Sequence, residues 1–436
     1  MKKVLFITYY WPPAGGATVN RIFKFSQYLP DFGWEPVILT TRDGDFPFID
    51  ESLLQEVKPE TRVYRSAGFS LHKVFSKLSP KSKKNFVPYG FTDQSRNSFM
   101  DNLSRWVKYN FIPDTRFPWY FGTVRKAVRI IREEKIDLIF SSSPPQTNHM
   151  IARKASAKTG IPWVADFRDP WTDVFWLLDR SVRMKWIHRW DQRIERKTIR
   201  KMNAVVTVGP SLVKILQRKT DKQIHLITNG YDERYFRERQ QHKNEKFSLF
   251  YAGSISREQS PEGFFRSMDL VMREFPSFSK DFEMLWLGNF PAYIHEMVGQ
   301  LDYHDKIRFS PYTHYSESIE MIRNSDLLLL IIPRTADNAC IITSKIFEYI
   351  GASKPVLTYG PVDGDAAAIL KTTGRGTVVD YEDSEAGARF ILQAWKHWKE
   401  GSEMPGGSDI SLYSRRELTR RLAEVFDQTH SSVQAK

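Results

Sequence analysis

A single cysteine, Cys340, stands in 436 residues, so no intramolecular disulfide can form, and the chain suits a reducing, cytoplasmic setting. No stretch reaches the roughly 20 consecutive apolar residues that span a bilayer. The start, Met1-Lys2-Lys3 before Val4-Leu5-Phe6-Ile7, carries the charge of an export signal. Its apolar run stops at Thr8, however, and Tyr9-Tyr10-Trp11-Pro12-Pro13 follows, so the segment reads as a first strand. Paired cysteines, His-x-x-x-His and Gly-x-x-x-x-Gly-Lys are all absent, so neither a metal site nor a Walker phosphate loop is expected. Ser211 caps a helix without an evident base, which leaves a serine nucleophile unsupported. No short internal repeat breaks the chain into an array.

What is present is positive charge, a net +13, unevenly placed. Between Arg65 and Arg132 fourteen Lys or Arg face only Asp93, Asp101 and Asp114, and between Arg180 and Lys201 nine face only Asp191 and Glu195. Large apolar residues accompany both runs, among them Trp106 and Phe121 in the first and Trp186 and Trp190 in the second. Two readings stand: a surface for an anionic membrane or nucleic acid, or a solvated basic face with its aromatics turned inward.

The length suits two domains, and 41% hydrophobic residues can fill two cores. Strands are expected at Val4–Thr8, Pro36–Thr40, Arg62–Tyr64, Asp137–Ser141, Trp163–Asp166, Ala204–Val208 and His225–Thr228. A second series follows at Ser248–Ala252, Glu283–Leu287, Lys306–Phe309, Leu327–Ile331, Val356–Thr358 and Thr377–Val379. Most are short continuous apolar runs, as buried parallel strands should be, and helical patterns alternate with them. An α/β chain of two Rossmann-like units follows. The expected divisions are 1–230 with a basic aromatic insertion near 71–118, a charged linker at 231–246, a second domain at 247–410, and a tail at 411–436 with a helix near Arg415–Phe426.

Ligands of open α/β sheets bind outside the carboxyl ends of strands, so the loops there are the candidate sites. Gly15 and Gly16 follow the first strand and open a helix at Thr18, where glycine admits either a ligand or a tight turn. Asp166, Arg168 and Asp169 follow another strand and line a cleft, or else form a local Asp–Arg pair. In the second half, Gly253, Ser254 and Arg257 follow the strand ending at Ala252, in place to grip a diphosphate. Gly288 approaches the same ligand, and Tyr312 offers a flat side chain to a nucleobase. The stretch Thr343 to Leu357 is the most informative. Thr343, Ser344 and Lys345 open a helix whose first turn suits phosphate, and Glu348 lies three residues after Lys345, on the same side, ready for a ribose diol. The plain alternative is an amphipathic helix with Lys345 and Glu348 in water.

Tyr-Tyr-Trp-Pro-Pro-x-Gly-Gly near the start, Asp-Phe-Arg-Asp-Pro-Trp mid-domain, Thr-Asn-Gly-Tyr-Asp, Tyr-Ala-Gly-Ser-Ile and Lys-Ile-Phe-Glu-Tyr-Ile-Gly-Ala-Ser-Lys-Pro-Val-Leu occur in this order. Together they resemble the bacterial GT-B glycosyltransferases of the retaining family 4 (group 1) type, which build capsule, O-antigen and exopolysaccharide. The resemblance implies two Rossmann-like domains facing a central cleft, with the donor on the second and the acceptor on the first, and a last helix crossing back to the first. It also implies transfer with retention and without bound metal or cofactor, the nucleotide sugar being a substrate. The acceptor is a lipid-linked or polysaccharide glycan, reached from the cytoplasm at the inner face of the membrane.

Glu348 then matches the second, ribose-binding glutamate of the family's Glu-x7-Glu pattern, and Cys340 stands where the first is usual. Either Asp337 or Asn338 substitutes for it near the donor sugar, or the donor is a sugar with different needs. Arg257 matches half of the family's diphosphate-binding Arg and Lys pair, and Lys345 supplies the missing cation. Arg257, Lys345 and Asp169 are the expected catalytic set, with cations stabilising the charge that grows on the departing diphosphate. Other readings are a catalytically silent GT-B assembly partner, supported by Cys340, and a sugar-nucleotide epimerase. A nucleic-acid-binding protein is disfavoured, because no nucleic-acid motif is present.

Overall fold

A computed structural model of the protein describes residues 1–44, 46, 49–68, 106–107, 109–174, 177, 183–236, 244–256 and 258–434. They form two compact units, Met1–Thr228 with Arg416–Lys436, and Asn229–Arg415.

In the first unit β1 (Lys2–Ile7), β2 (Trp34–Thr41), β3 (Arg62–Ser66), β4 (Leu138–Ser143), β5 (Trp163–Phe167), β6 (Ala204–Thr207) and β7 (Ile224–Leu226) make one parallel sheet, ordered β3-β2-β1-β4-β5-β6-β7. The helices α1 (Ala17–Tyr28), α2 (Tyr120–Glu134), α3 (Thr147–Thr159), α4 (Lys185–Ile199) and α5 (Pro210–Gln217) alternate with these strands. Side chains along a strand point alternately to the two faces, so a continuous apolar run fills two layers at once. Leu5, Ile7, Val37, Leu39 and Ile139 pack with Val124 and Ile131 of α2 and Ile151 of α3. Val4, Phe6, Ile38 and Phe140 face the other way, toward Ile22 and Phe25 of α1 and toward the final helix.

The second unit repeats the plan with β8 (Phe247–Ala252), β9 (Phe282–Leu287), β10 (Ile307–Ser310), β11 (Leu327–Ile331), β12 (Val356–Tyr359) and β13 (Gly376–Val379), ordered β10-β9-β8-β11-β12-β13 and parallel throughout. Its longer helices are α6 (Glu262–Glu274), α7 (Ala292–Gly299), α8 (Tyr315–Arg323), α9 (Lys345–Gly351), α10 (Asp365–Thr373) and α11 (Ser384–Glu400). Helices α6 and α11 pack together over one face. Residues of α8, α9 and α10 cover the other, with Ile346, Phe347 and Ile350 of α9 fully buried.

The structure departs from the sequence reading at the last helix and at the charged stretch before the second unit. The last helix, α12 (Arg415–Gln434), runs eight residues beyond its expected end at Phe426. Leu418, Leu422, Val425 and Phe426 form its buried stripe, and the added turns are held because His430 packs edge-on to Trp34, 6.1 Å away. At the charged stretch 231–246, residues 237–243 lie outside the described residues, while Tyr231 and Asp232 are buried in the second unit, with Tyr231 bridged to Ser414. Of the insertion at 71–118, residues 71–105 and 108 lie outside the described residues, and the rest belongs to the first unit. There buried Asp114 accepts hydrogen bonds from the Thr147 amide (2.8 Å) and hydroxyl (2.9 Å), capping the start of α3. Among the described residues no helix is long and apolar enough to cross a membrane.

Candidate functional site

Strand order reverses between β8 and β11 in the second unit, the place where open α/β sheets hold ligands. Two glycines shape this edge. Gly253 has φ +110° and Gly288 φ +141°, backbone that side chains rarely adopt. A Cβ on Gly288 would stand 2.7 Å from the Gly253 carbonyl, so the ends of β8 and β9 meet this closely because Gly288 has no side chain. The loop after Gly253 is pinned by Gln259, which receives the Ser256 amide at 3.1 Å and donates to the Ile331 carbonyl at 2.7 Å. Arg257 itself lies outside the described residues.

Over this edge sits α9. The Tyr349 hydroxyl accepts the Ala252 amide at 3.1 Å, fixing the helix against the end of β8. Lys345 reaches back one turn. Its Nζ donates to the Tyr251 hydroxyl at 3.3 Å and lies 4.6 Å from that ring's centroid. A Cβ on Gly253 would come within 2.5 Å of Nζ, so the amine occupies the space that glycine leaves open. Burial pulls Lys345 down to about 8, against the opposing pull of Glu348. Burial likewise pushes Glu348 up to about 7, although the Tyr315 hydroxyl, Arg415 and Lys345 favour its ionised form. Both side chains remain partly exposed. Neither sits in open water, as the plain amphipathic reading required.

Helix α9 begins at Lys345, after Thr343 and Ser344, and has seven residues. So short a helix brings little dipole to an anion, and the fixed charge of Lys345 takes over that part. Thr343 Oγ1 and Ser256 Oγ are buried without hydrogen-bond partners among the described residues. Of the remaining expected donor residues, Ser254 and Tyr312 are exposed or partly so, Tyr312 by 49%. Asn338 donates to the Tyr381 hydroxyl at 3.0 Å, and the Cys340 thiol donates to the Asp337 carbonyl at 3.0 Å. The Asp337 side chain is exposed.

In the first unit Gly15, Gly16, Asp166, Arg168 and Asp169 share the carboxyl edge of the sheet, where order reverses between β1 and β4. Gly16, with φ +88°, precedes α1. Gly15 is needed for packing, since a Cβ there would stand 2.9 Å from the Cβ of Asp50. Asp166 is fully buried and already occupied. Arg21 grips it through two bonds of 2.8 and 3.1 Å, and the Ser142 hydroxyl adds a third at 2.6 Å. It therefore holds the loop and has no free edge for a sugar. The Asp–Arg pair weighed from the sequence does form, but with Arg21 in place of Arg168. Arg168 instead donates to the carbonyls of Ser143, Thr18 and Pro144, at 3.0, 2.7 and 2.7 Å, tying three loops together. Burial lowers its affinity for a proton. Asp169 beside it is partly exposed, and burial raises its carboxyl above the usual range while Arg168 opposes the shift. Asp169 is thus the one member of this trio still available to a ligand.

A sequence profile described as Glycosyltransferase Family 4 matches residues 15–235, just over half of the chain. The chain belongs to Glycosyltransferase Family 4. The family match covers most of the first unit, and solved structures extend the likeness through the second. TarM aligns over 99% of both chains with a TM-score of 0.61 and 12% identity. Sucrose-phosphate synthase from Thermosynechococcus elongatus aligns over 100% of this chain and 98% of its own, with a TM-score of 0.59 and 12% identity. Anabaena HepE in complex with UDP aligns over 100% and 99%, at 0.58 and 13% identity. At such identities these establish the GT-B fold of paired Rossmann-like domains. No curated protein sequence matches. Tyr251, Tyr315 and Arg415, which surround Lys345 and Glu348, were not singled out from the sequence. Tyr251 does open the Tyr-Ala-Gly-Ser-Ile motif, and Tyr315 follows Tyr312 by three residues, the signals by which these two could have been found.

Proposed function

We propose that this member of the family moves a sugar from a nucleoside diphosphate carrier to a lipid-linked or polysaccharide acceptor, with retention of configuration and without a bound metal. The observation that carries the reading is the placement of the Lys345 amine over Gly253, with Glu348 one turn further along α9. A diphosphate at the β8 edge would meet a cation and backbone without intervening side chains, and Glu348 would accept from the ribose hydroxyls in place of the Tyr315 hydroxyl. As the bond to the sugar breaks, negative charge grows on the diphosphate, and a preplaced amine stabilises that state more than the ground state. Arg257 adds a second cation in this reading, Tyr312 a face for the base, and Asp169 a carboxylate on the acceptor side. The UDP of the HepE complex makes uridine nucleotides the first donors to try.

The test is a thermal-shift panel of nucleoside diphosphates and nucleotide sugars on the wild type and Glu348→Ala. At least one nucleotide is expected to stabilise the wild type and not the variant; no stabilisation by any of them overturns the donor-site assignment. A second reading, a catalytically silent family member, is favoured by Cys340, whose thiol bonds to Asp337 and offers no carboxylate to a sugar. Donor hydrolysis or transfer that is lost in Glu348→Ala rejects it.

A further inference from the structure

Helix α4 carries the second basic run, and its two acidic residues turn inward. Asp191 is fully buried, accepting from the Trp171 indole at 3.0 Å and from Arg183 at 2.7 Å. Glu195 is buried, accepting from Thr172 at 2.5 Å and Lys219 at 2.6 Å. The outward face is left without an acid. Trp186 and Trp190 are 61% and 55% exposed, and Lys185, Arg189, Arg193 and Lys197 are exposed with them. Trp186, Arg189, Trp190, Arg193 and Lys197 follow helical spacing and form one stripe.

Neither plain explanation accounts for this stripe. The aromatics do not face the core. Cations late in a helix offset its dipole, but Lys185 and Arg189 stand at the opposite end, where the first turn holds no acid and a positive charge is disfavoured. An external anion relieves that cost.

Position adds direction. Helix α4 leads into β6 as α2 leads into β4, so both begin at the carboxyl edge of the parallel sheet, the edge that takes ligands. Phe121, in the first turn of α2, is 65% exposed, and α2, α3 and α4 pack side by side. Indole rings with nearby Lys and Arg suit the boundary between headgroups and acyl chains, whereas nucleic acid would ask for stacking platforms along a groove.

We infer that the outer face of α4 seats the protein on an anionic phospholipid bilayer, with Trp186 and Trp190 entering the headgroup layer and the cations meeting phosphate. The inference extends the proposed function by supplying the surface from which a lipid-linked acceptor is reached. It does not depend on the donor site, because vesicle binding needs no nucleotide.

The experiment is co-sedimentation of the full chain with phosphatidylcholine vesicles with and without phosphatidylglycerol, read with intrinsic tryptophan fluorescence. Binding is expected only to the anionic vesicles, with a blue shift of emission and weakening by salt. Trp186→Ser with Trp190→Ser should weaken it on the order of tenfold, as should Arg189→Glu with Arg193→Glu. Circular dichroism and the thermal response to nucleotides should stay unchanged in both, since these side chains point outward. Equal binding to neutral vesicles, binding unaltered by either pair, preference for an oligonucleotide over anionic vesicles, or self-association that buries both indoles would each overturn the inference. Loss of every nucleotide response with vesicle binding intact would defeat the donor reading alone.

Discussion

Arg21 and Asp166, 145 residues apart, form a fully buried two-bond ion pair in the first unit, and Arg21 also donates to the carbonyls of Thr228 and Ile227 at 2.7 and 2.9 Å. One guanidinium thus ties α1, the end of β5 and the last residues before the second unit into a single corner.

Breaking this pair is expected to be costly, because either partner alone is a buried uncompensated charge. Asp166→Ala or Arg21→Ala should destabilise the first unit by about 3–5 kcal/mol. Replacing both with apolar residues, Arg21→Met with Asp166→Leu, should cost clearly less than the sum. Urea denaturation followed by a probe in the first unit decides this; equal, additive losses would contradict the charge argument.

On the donor side, Glu348→Ala and Lys345→Ala are each expected to remove one charge-assisted contact. A loss of roughly tenfold to a hundredfold in nucleotide affinity follows, from about 1.5–3 kcal/mol per such bond. Titration calorimetry with UDP measures it. Unchanged affinity in Lys345→Ala would move the diphosphate away from the Gly253 edge.

The pH dependence follows from the same two groups. A ligand that needs Glu348 ionised and Lys345 protonated should bind best between about 7 and about 8, weakening on either side. The acid limb should vanish in Glu348→Gln. Linkage gives an independent check without ligand. The folded-state value of Glu348 is raised, so its stability contribution is fully present below the ordinary 4.5 and is lost as pH rises through about 7. Glu348→Gln should therefore gain stability relative to wild type across that interval and level off above it. A difference that is flat in pH would refute the buried, proton-binding carboxyl.

Gly253→Ala tests the space under Lys345. At φ +110° a Cβ is strained by about 1–3 kcal/mol, and it would stand 2.5 Å from the amine. The flexible lysine end can move, so the expected outcome is modest destabilisation together with weakened nucleotide binding. Destabilisation with full affinity would show that the amine position is unimportant.

Much of this was open to reading along the chain. Val4-Leu5-Phe6-Ile7 and Leu327-Leu328-Leu329-Leu330-Ile331 are strands because both of their faces are covered, and a run without polar interruption can satisfy nothing else at that length. The spacing of Lys345 and Glu348 placed them on one side of a helix, and the glycines after β8 and β9 marked loops in place to meet a diphosphate. These are local properties, set by a few neighbouring residues. What the amino-acid order could not disclose depends on residues far apart. It left Asp166 as a sugar ligand or an ion-pair partner, and only the fold brought Arg21 to it and left Asp169 partly exposed. It counted Asp191 and Glu195 against nine cations, and only packing turned both acids inward and exposed Trp186 and Trp190. Periodicity and turn chemistry act over one or two turns of chain, so the sequence by itself determined the two Rossmann-like units and the loops at the carboxyl ends of their strands. Burial and charge pairing are decided by which distant segments meet, so the tertiary structure alone decided which loop residues are spent on holding the fold and which remain for a substrate.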